Sequence, residues 1–346
     1  MKDIVGKLSY HNLPTDEFRS GKKMLCLNEN PYGCSNKVKE AVINSINLNE
    51  YPDDNSTGLR EKIADFYNIN LNNIVIGNGS GEILQILSRS ILKDNNDEVI
   101  TCTPTYPYYF VETVVENAKF IEVPLVQDKF DIDGILNAIT ENTKIIYITN
   151  PNNPIGTIIT EEEANKLIQN VRKDILIVFD EAYYEYVESN EFPNIMGKIK
   201  EYKNICVLRT FSKAYGLASL RVGYLIADEM LIDNLNKVRL TFNVSKISQI
   251  AAESAICDQD FIKECKEKNT EQKEMLYKCL QDLNISYISS ETNFVVIEDK
   301  DEVIMKALLK ENIIVKTFMY KAKNHIRLSV GSAEVMEKIR AIIKNI

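Results

Sequence analysis

Histidine is nearly missing from this 346-residue chain, which holds only His11 and His325. A histidine-based catalytic triad or a histidine-rich metal site is therefore hard to assemble, and no metal site is expected. The seven cysteines, at 26, 34, 102, 206, 257, 265 and 279, are odd in number and contain no C-x-x-C pair. That pattern argues for reduced thiols and against a disulfide frame. Basic runs are absent too, and the net charge is -9, so a nucleic-acid-binding face is not expected. No stretch approaches the roughly 20 apolar residues that cross a bilayer. Met1-Lys2-Asp3-Ile4 carries no apolar signal region. The expectation is a cytoplasmic protein with no membrane or nucleic-acid partner.

What is present is an alternation. Residues 74–77, 97–102, 119–123, 144–149, 175–180, 204–209 and 222–227 are short and almost continuously apolar. Strands buried on both faces read this way. Helical patterns such as 82–92 and 161–172 fall between them, which predicts an α/β fold with a mostly parallel, helix-covered sheet. From about 230 to 285 the chain becomes helical and highly charged. Strand patterns at 285–288, 293–298, 313–316 and 325–330, with helical ones at 301–311 and 333–344, predict a smaller α+β domain.

Three features carry chemistry. Asp180 ends the apolar run 175–180, and open α/β sheets bind ligands at the carboxyl ends of their strands. Taken alone, it could equally cap the next turn. Lys213 follows the next strand and sits among Thr210, Ser212, Ala214 and Gly216 with no charged neighbour. A desolvated lysine is a better nucleophile and forms imines with aldehydes. The pairing matches what pyridoxal 5′-phosphate requires: an imine-forming lysine and a carboxylate at the pyridine nitrogen. Gly77-Asn78-Gly79-Ser80-Gly81-Glu82 follows a strand and opens a helix, where backbone N–H groups can take a phosphate. The third glycine of a dinucleotide fingerprint is missing, and no Gly-Lys-Ser/Thr follows to make a P-loop.

Ten motifs in order along the chain now add a resemblance: LNENPYG (27–33), EYPD (50–53), GNGSGE (77–82), PTY (104–106), NPNNPIG (150–156), DEAYYEY (180–186), RTFSKAYGLASLRVGY (209–224), RLTFNVS (239–245), ETNF (291–294) and IRLSVG (326–331). The chain resembles the fold-type I aminotransferases of class I/II and, among them, the histidinol-phosphate aminotransferases. The resemblance implies a large, mostly parallel seven-stranded cofactor domain at 41–235, a small carboxy-terminal domain at 236–346, and an arm at 1–40 that joins the small domain.

It also implies roles. Lys213 would carry the cofactor as a Schiff base and move the substrate proton. Asp180 would pair with the pyridine nitrogen, Tyr183 and Asn153 would bond the ring hydroxylate, and Tyr106 would stack on the ring. Ser80 and Gly81 would offer amides to the phosphate, with Thr210, Ser212 and Arg221 completing the cradle. Tyr51 would reach that phosphate from the partner subunit of a homodimer. Asn30, Lys316 and Arg327 would contact substrate. The implied reaction is transamination of L-histidinol phosphate with 2-oxoglutarate in histidine biosynthesis.

The chain departs from the family's usual residues at Gly81, Ile155, Thr241 and Lys316. Lys316 matters most, because the arginine usual there helps bind the substrate phosphate, and lysine keeps the charge but loses the two-pronged geometry. Another amino-acid aminotransferase, for aromatic substrates, therefore stands as an alternative. Threonine-phosphate decarboxylase is a further one, although its amino-terminal His-Gly-Gly pattern is absent. A non-catalytic regulatory domain is disfavoured, since no helix-turn-helix character precedes the motifs.

Overall fold

The computed structural model describes residue 8, residues 21–45 and residues 49–346. His11 and residues 1–7 and 9–20 of the arm expected at 1–40 lie outside the described residues. The strands are β1 (Lys23–Leu25), β2 (Ile74–Gly77), β3 (Glu98–Thr103), β4 (Lys119–Pro124), β5 (Thr143–Thr149), β6 (Leu176–Asp180), β7 (Ile205–Thr210), β8 (Gly223–Ile226), β9 (Tyr287–Ile288), β10 (Phe294–Glu298), β11 (Ile313–Tyr320) and β12 (Lys323–Ser329).

The apolar runs make one seven-stranded sheet in the order β2-β8-β7-β6-β5-β3-β4. Only β8 runs against its neighbours. The strands β2, β6, β7 and β8 are buried at every residue, as their continuous apolarity predicts. β4 differs: it is the sheet edge and stays largely exposed.

The period-2 alternation of side chains divides the large core in two. Val75, Ile145, Tyr147, Val178, Cys206, Leu208 and Leu225 form one face with residues of the helices Gly79–Ile91 and Glu229–Val238. Ile76, Ile146, Ile148, Ile177, Phe179, Val207 and Tyr224 form the other, with residues of the helices Thr57–Tyr67, Glu161–Asn170 and Lys246–Ile256. The chain leaves β3 towards β4 and leaves β5 in the opposite direction, towards β6 and β7. A crevice therefore opens at the carboxyl ends of β3, β5, β6 and β7, where such sheets place their ligands.

A five-stranded sheet, β1-β11-β12-β10-β9, makes the smaller unit. β1 joins it parallel to β11, and its other pairings are antiparallel. Its core includes Leu276, Leu280, Val295, Ile297, Leu308, Leu328 and Ile339.

The two cores do not divide at 235/236, as the change in charge pattern suggests. Ala251, Ala252, Ala255 and Ile256 pack in the large-sheet core, against the helices Asn36–Ile43 and Thr57–Tyr67. The long helix Gln259–Asp282 spans both cores, with Ile262 in the large core and Leu276 in the small one, and Phe294 and Val296 of β10 again pack in the large core. Most charged residues of this stretch are exposed or half-buried, Asp258 and Lys273 excepted. Small alanines let its helices approach closely, and they carry little apolar signal in a sequence. Ala252→Leu should therefore overpack a fully buried helix contact and cost about 1–3 kcal/mol in denaturant unfolding. No change in the unfolding midpoint would mean that this helix is peripheral.

Candidate active site

A cavity of about 390 Å³ lies in the crevice. Lys213 lines it, in the turn that follows β7. Its Nζ donates to the Leu27 carbonyl at 2.8 Å. Burial, then the Arg327 and Arg221 charges, lower its pKa to about 8, although Glu29 works in the opposite sense. The surface that Lys213 retains is cavity surface.

Asp180, the last residue of β6, lines the same cavity. Its carboxylate accepts from the Tyr109 hydroxyl at 2.7 Å and from the Ala182 amide at 3.2 Å. Burial nevertheless raises its pKa to about 6. Tyr109 also contacts the Thr149 hydroxyl at 2.9 Å, and Thr149 meets the Thr105 hydroxyl at 2.8 Å. The carboxylate is thus held by a chain of side chains that starts beyond β3.

At another end of the cavity, Gly79 opens its helix with φ +75°, and a Cβ there would stand 2.4 Å from the Arg221 guanidinium. The left-handed backbone favours glycine, and a Cβ would displace the Arg221 guanidinium. The preceding Asn78 makes no side-chain cap, which leaves the first amides of the helix available to an anion. Ser80, Thr210, Ser212 and Arg221 line the cavity here. Thr210 Oγ1 lies 3.0 Å from Ser212 Oγ, and Arg221 Nη1 reaches the same Ser212 oxygen at 3.3 Å. Hydroxyls, a guanidinium and free amides make an anion cradle.

Tyr106, Tyr183 and Asn153 are also lining residues. Burial, followed by the Asp180 charge, pushes the Tyr106 phenol up to about 12. The Tyr183 hydroxyl accepts from Asn28 Nδ2 at 2.9 Å. Arg327 adjoins the cavity from β12, donating through Nη1 to Asn153 Oδ1 and through Nη2 to the Cys26 carbonyl at 2.6 Å. Its Nε is buried without a partner among the described residues.

The remaining expected residues are placed differently. Asn30 does not line the cavity: Nδ2 donates to the Ala214 carbonyl at 2.7 Å and to Cys265 Sγ at 3.3 Å, and Oδ1 accepts from the Tyr32 amide at 3.0 Å. It pins the segment, while Leu27 and Glu29 face the cavity. Gly81 lies one residue beyond the lining Ser80. Lys316 is exposed on β11, directly opposite Arg327 in the strand register. Tyr51 is 81% exposed and stacked on Phe242 with 4.6 Å between ring centroids. It faces a surface hollow whose wall includes Arg221, not the cavity of its own chain.

These positions match a known lineage. The chain matches the family "Aminotransferase class I and II" over residues 21–343. It belongs to that family. This aminotransferase is 42% identical over 319 residues to a histidinol-phosphate aminotransferase of Geobacillus sp. (strain WCH70), covering 91% of this chain and 87% of that protein. It is 41% identical over 328 residues to the histidinol-phosphate aminotransferase of Bacillus subtilis (strain 168), covering 93% and 91%. Among solved structures, histidinol-phosphate aminotransferase from Sinorhizobium meliloti in complex with pyridoxal-5′-phosphate aligns with a TM-score of 0.92 at 26% identity, over 100% of this chain and 98% of that one. A Thermus thermophilus aspartate aminotransferase double mutant shares the fold, with a TM-score of 0.86 at 20% identity over 100% and 99%.

Tyr109, Thr149, Asn28 and Glu29 are site residues beyond those expected from the sequence. Asn28 and Glu29 fall inside the LNENPYG motif, beside the expected Asn30. Tyr109 follows PTY by three residues, a spacing that points nowhere until the helix Tyr108–Val115 turns its hydroxyl towards β6.

Behind the site, both carboxylate oxygens of Glu185 are buried, and among the described residues only its own backbone amide approaches them as a donor. Burial raises its pKa to about 7, although Arg209 pulls it down; Glu181 adds to the rise. The folded form thus holds a proton that the unfolded chain releases near pH ~4.3. Stability from this group is full below that pH and is lost as pH rises through 7. Glu185→Gln should leave the melting temperature unchanged near pH ~4 and raise stability at pH ~8, on the order of 1–3 kcal/mol. An equal effect at both pH values would refute the assignment.

Proposed function

We propose that this aminotransferase binds pyridoxal 5′-phosphate through Lys213 and exchanges the amino group of L-histidinol phosphate with 2-oxoglutarate. The cofactor reading rests on one observation. A desolvated lysine, a buried carboxylate and an anion cradle line a single cavity, and a Cβ on the glycine that opens the cradle would push Arg221 out of it. The donor reading rests on the names of the relatives and on the Arg327–Lys316 register pair, which sets two cations side by side.

When bound, the cofactor supplies an electron sink for the substrate Cα. Asp180 keeps a proton on the pyridine nitrogen, and Tyr109 holds the carboxylate towards it. Lys213 Nζ, with its lowered pKa, would take the proton from the substrate Cα and give it back two atoms along, a 1,3 shift. Tyr183 and Asn153 hydrogen-bond the ring oxygen, and Tyr106 covers a ring face, where its area excludes water. Ser80, Gly81, Thr210, Ser212 and Arg221 hold the phosphate. Arg327 and Lys316 take the anionic end of either substrate, which is phosphate in the donor and carboxylate in the 2-oxo acid.

The exposed Tyr51, beside the outer wall of the phosphate cradle, supports a homodimer in which it completes the partner's site. All seven cysteines are free, which supports a cytoplasmic setting, and the names of the relatives support a place in histidine biosynthesis. Among the described residues no helix is long and apolar enough to cross a membrane.

Borohydride should fix the cofactor on Lys213, as read by peptide mass, and Lys213→Ala should abolish transamination; label on another lysine refutes the assignment. Arg327→Ala should damage both half-reactions. Lys316→Ala should damage mainly the histidinol-phosphate half, by about 1.5–3 kcal/mol if one charged hydrogen bond is lost, while Lys316→Arg is tolerated. The deciding measurement is kcat/KM for histidinol phosphate against phenylalanine and tyrosine. Aromatic amino acids as the better donors would keep the reaction and overturn the substrate.

A further inference from the structure

One buried ion pair takes no part in the mechanism above. Arg209 is the penultimate residue of β7, and Glu181 follows the last residue of β6. Their side chains are 3% and 1% exposed. Arg209 Nε and Nη2 both donate to Glu181 Oε2, at 2.9 and 2.6 Å. Nη1 donates to the Tyr67 hydroxyl at 2.6 Å, and that hydroxyl meets the Tyr224 hydroxyl at 2.8 Å. The Tyr184 ring covers the guanidinium at 3.4 Å. The guanidinium is therefore held from the turn after β6, by Glu181 and Tyr184, and from the helix Thr57–Tyr67, whose Tyr67 hydroxyl is braced in turn by Tyr224 of β8.

The position of this pair is informative. The strand ladder between β6 and β7 ends at the pairing of Asp180 with Leu208, and the Glu181 amide then donates to the Leu208 carbonyl at 2.8 Å. The side-chain pair lies one residue further on. It closes the two strands beyond their last backbone bond. By alternation Arg209 shares the sheet face of Val207, and the neighbouring Thr210 takes the other. Asp180 immediately precedes Glu181, and Thr210, Ser212 and Lys213 follow Arg209.

A buried ion pair is weak evidence for stability, because removing both charges from water offsets much of their attraction, and apolar substitutes of the same volume often fold as well. Its effect on geometry is direct. We propose that the Arg209–Glu181 pair is a positioning device for the reaction. It fixes the carboxyl end of β6, which presents Asp180, against the carboxyl end of β7, which leads to Thr210, Ser212 and Lys213. The distance between the acid at the ring nitrogen, the amine and the phosphate cradle is then set by a side-chain clamp behind the cavity. Neither member touches substrate or cofactor. The proposal rests on the cofactor reading given above, since the groups it positions are the ones assigned there.

The test replaces the pair by apolar residues of similar size, Glu181→Leu with Arg209→Met. Three readouts separate positioning from stability: kcat and KM in the donor half-reaction, the pH midpoint of the bound-cofactor absorbance, and hydrogen exchange of peptides 178–184 and 207–213 in cofactor-free protein. We expect a folded protein with a melting temperature near that of the wild type. kcat should fall tenfold or more with KM changed less than threefold, the absorbance midpoint should move, and both peptides should exchange faster. A folded double variant with wild-type kcat, midpoint and exchange overturns the proposal. Should the double variant fail to fold, Glu181→Gln, which keeps the shape and drops the charge, takes its place: the same three shifts support the clamp, and wild-type values overturn it. If pyridoxal phosphate gives no visible absorbance with the wild-type protein, the cofactor reading fails, and exchange in the cofactor-free protein still decides whether the pair clamps the strands.

Discussion

Burial of Lys213 and Asp180 in one cavity is the constraint on which the remainder of the site depends. An amine and a carboxylate removed from water are both driven towards their neutral forms. Lys213 falls to about 8 and Asp180 rises to about 6, so a cation beside Asp180 and a neutral imine at Lys213 would each relieve the cost of burial. The same desolvation that penalises these charges makes the amine a competent nucleophile and makes the carboxylate a strong partner for a cationic ring. The sheet creates this environment. β6 and β7 are buried at every residue, so their carboxyl ends emerge from apolar surroundings directly into the crevice.

The supports around the two groups follow from that cost. A buried carboxylate needs donors, and Tyr109 and the Ala182 amide provide them. Lys213 donates to the Leu27 carbonyl, so the segment before Pro31 becomes a wall of the site. Asn28 and Asn30 hold that wall through Tyr183 and Ala214, and between them Glu29 is left facing the cavity. The anion cradle lies across the cavity, where Arg221 and the uncapped helix supply the positive field that neither Lys213 nor Asp180 can.

Legibility in the sequence varies with how local each cause is. The sheet is readable because burial on both faces leaves continuous apolar runs. Asp180, Lys213 and the glycine turn are readable because a strand end followed by an unusual residue is itself a local pattern. Asn30 is not, because its partners, Ala214 and Cys265, lie 184 and 235 residues away, and nothing near it signals which of its adjacent residues turns inward. Tyr109 is hidden for the same reason, since its meaning depends on β6 arriving beside it. The expected division at 235/236 tracks charge, whereas the actual one follows which core the alanines of Lys246–Ile256 pack into.

Arg327 shows how the two sheets are joined through the chemistry. It stands on β12 of the small sheet, yet Nη1 is bonded to Asn153 beyond β5 of the large one, and Nη2 to Cys26 just after β1. Nε is buried with no partner among the described residues. Three segments therefore meet on one guanidinium that still has donor capacity, and Lys316 stands opposite it in the ladder. A desolvated guanidinium with an unspent donor is a costly arrangement unless an acceptor arrives. An anionic substrate end is such an acceptor. In the proposed reaction, binding it at Arg327 would bring it against a residue that, like Asn28, already links the large sheet, the small sheet and the arm, so recognition of the anion and the relative placement of these three parts would share a side chain.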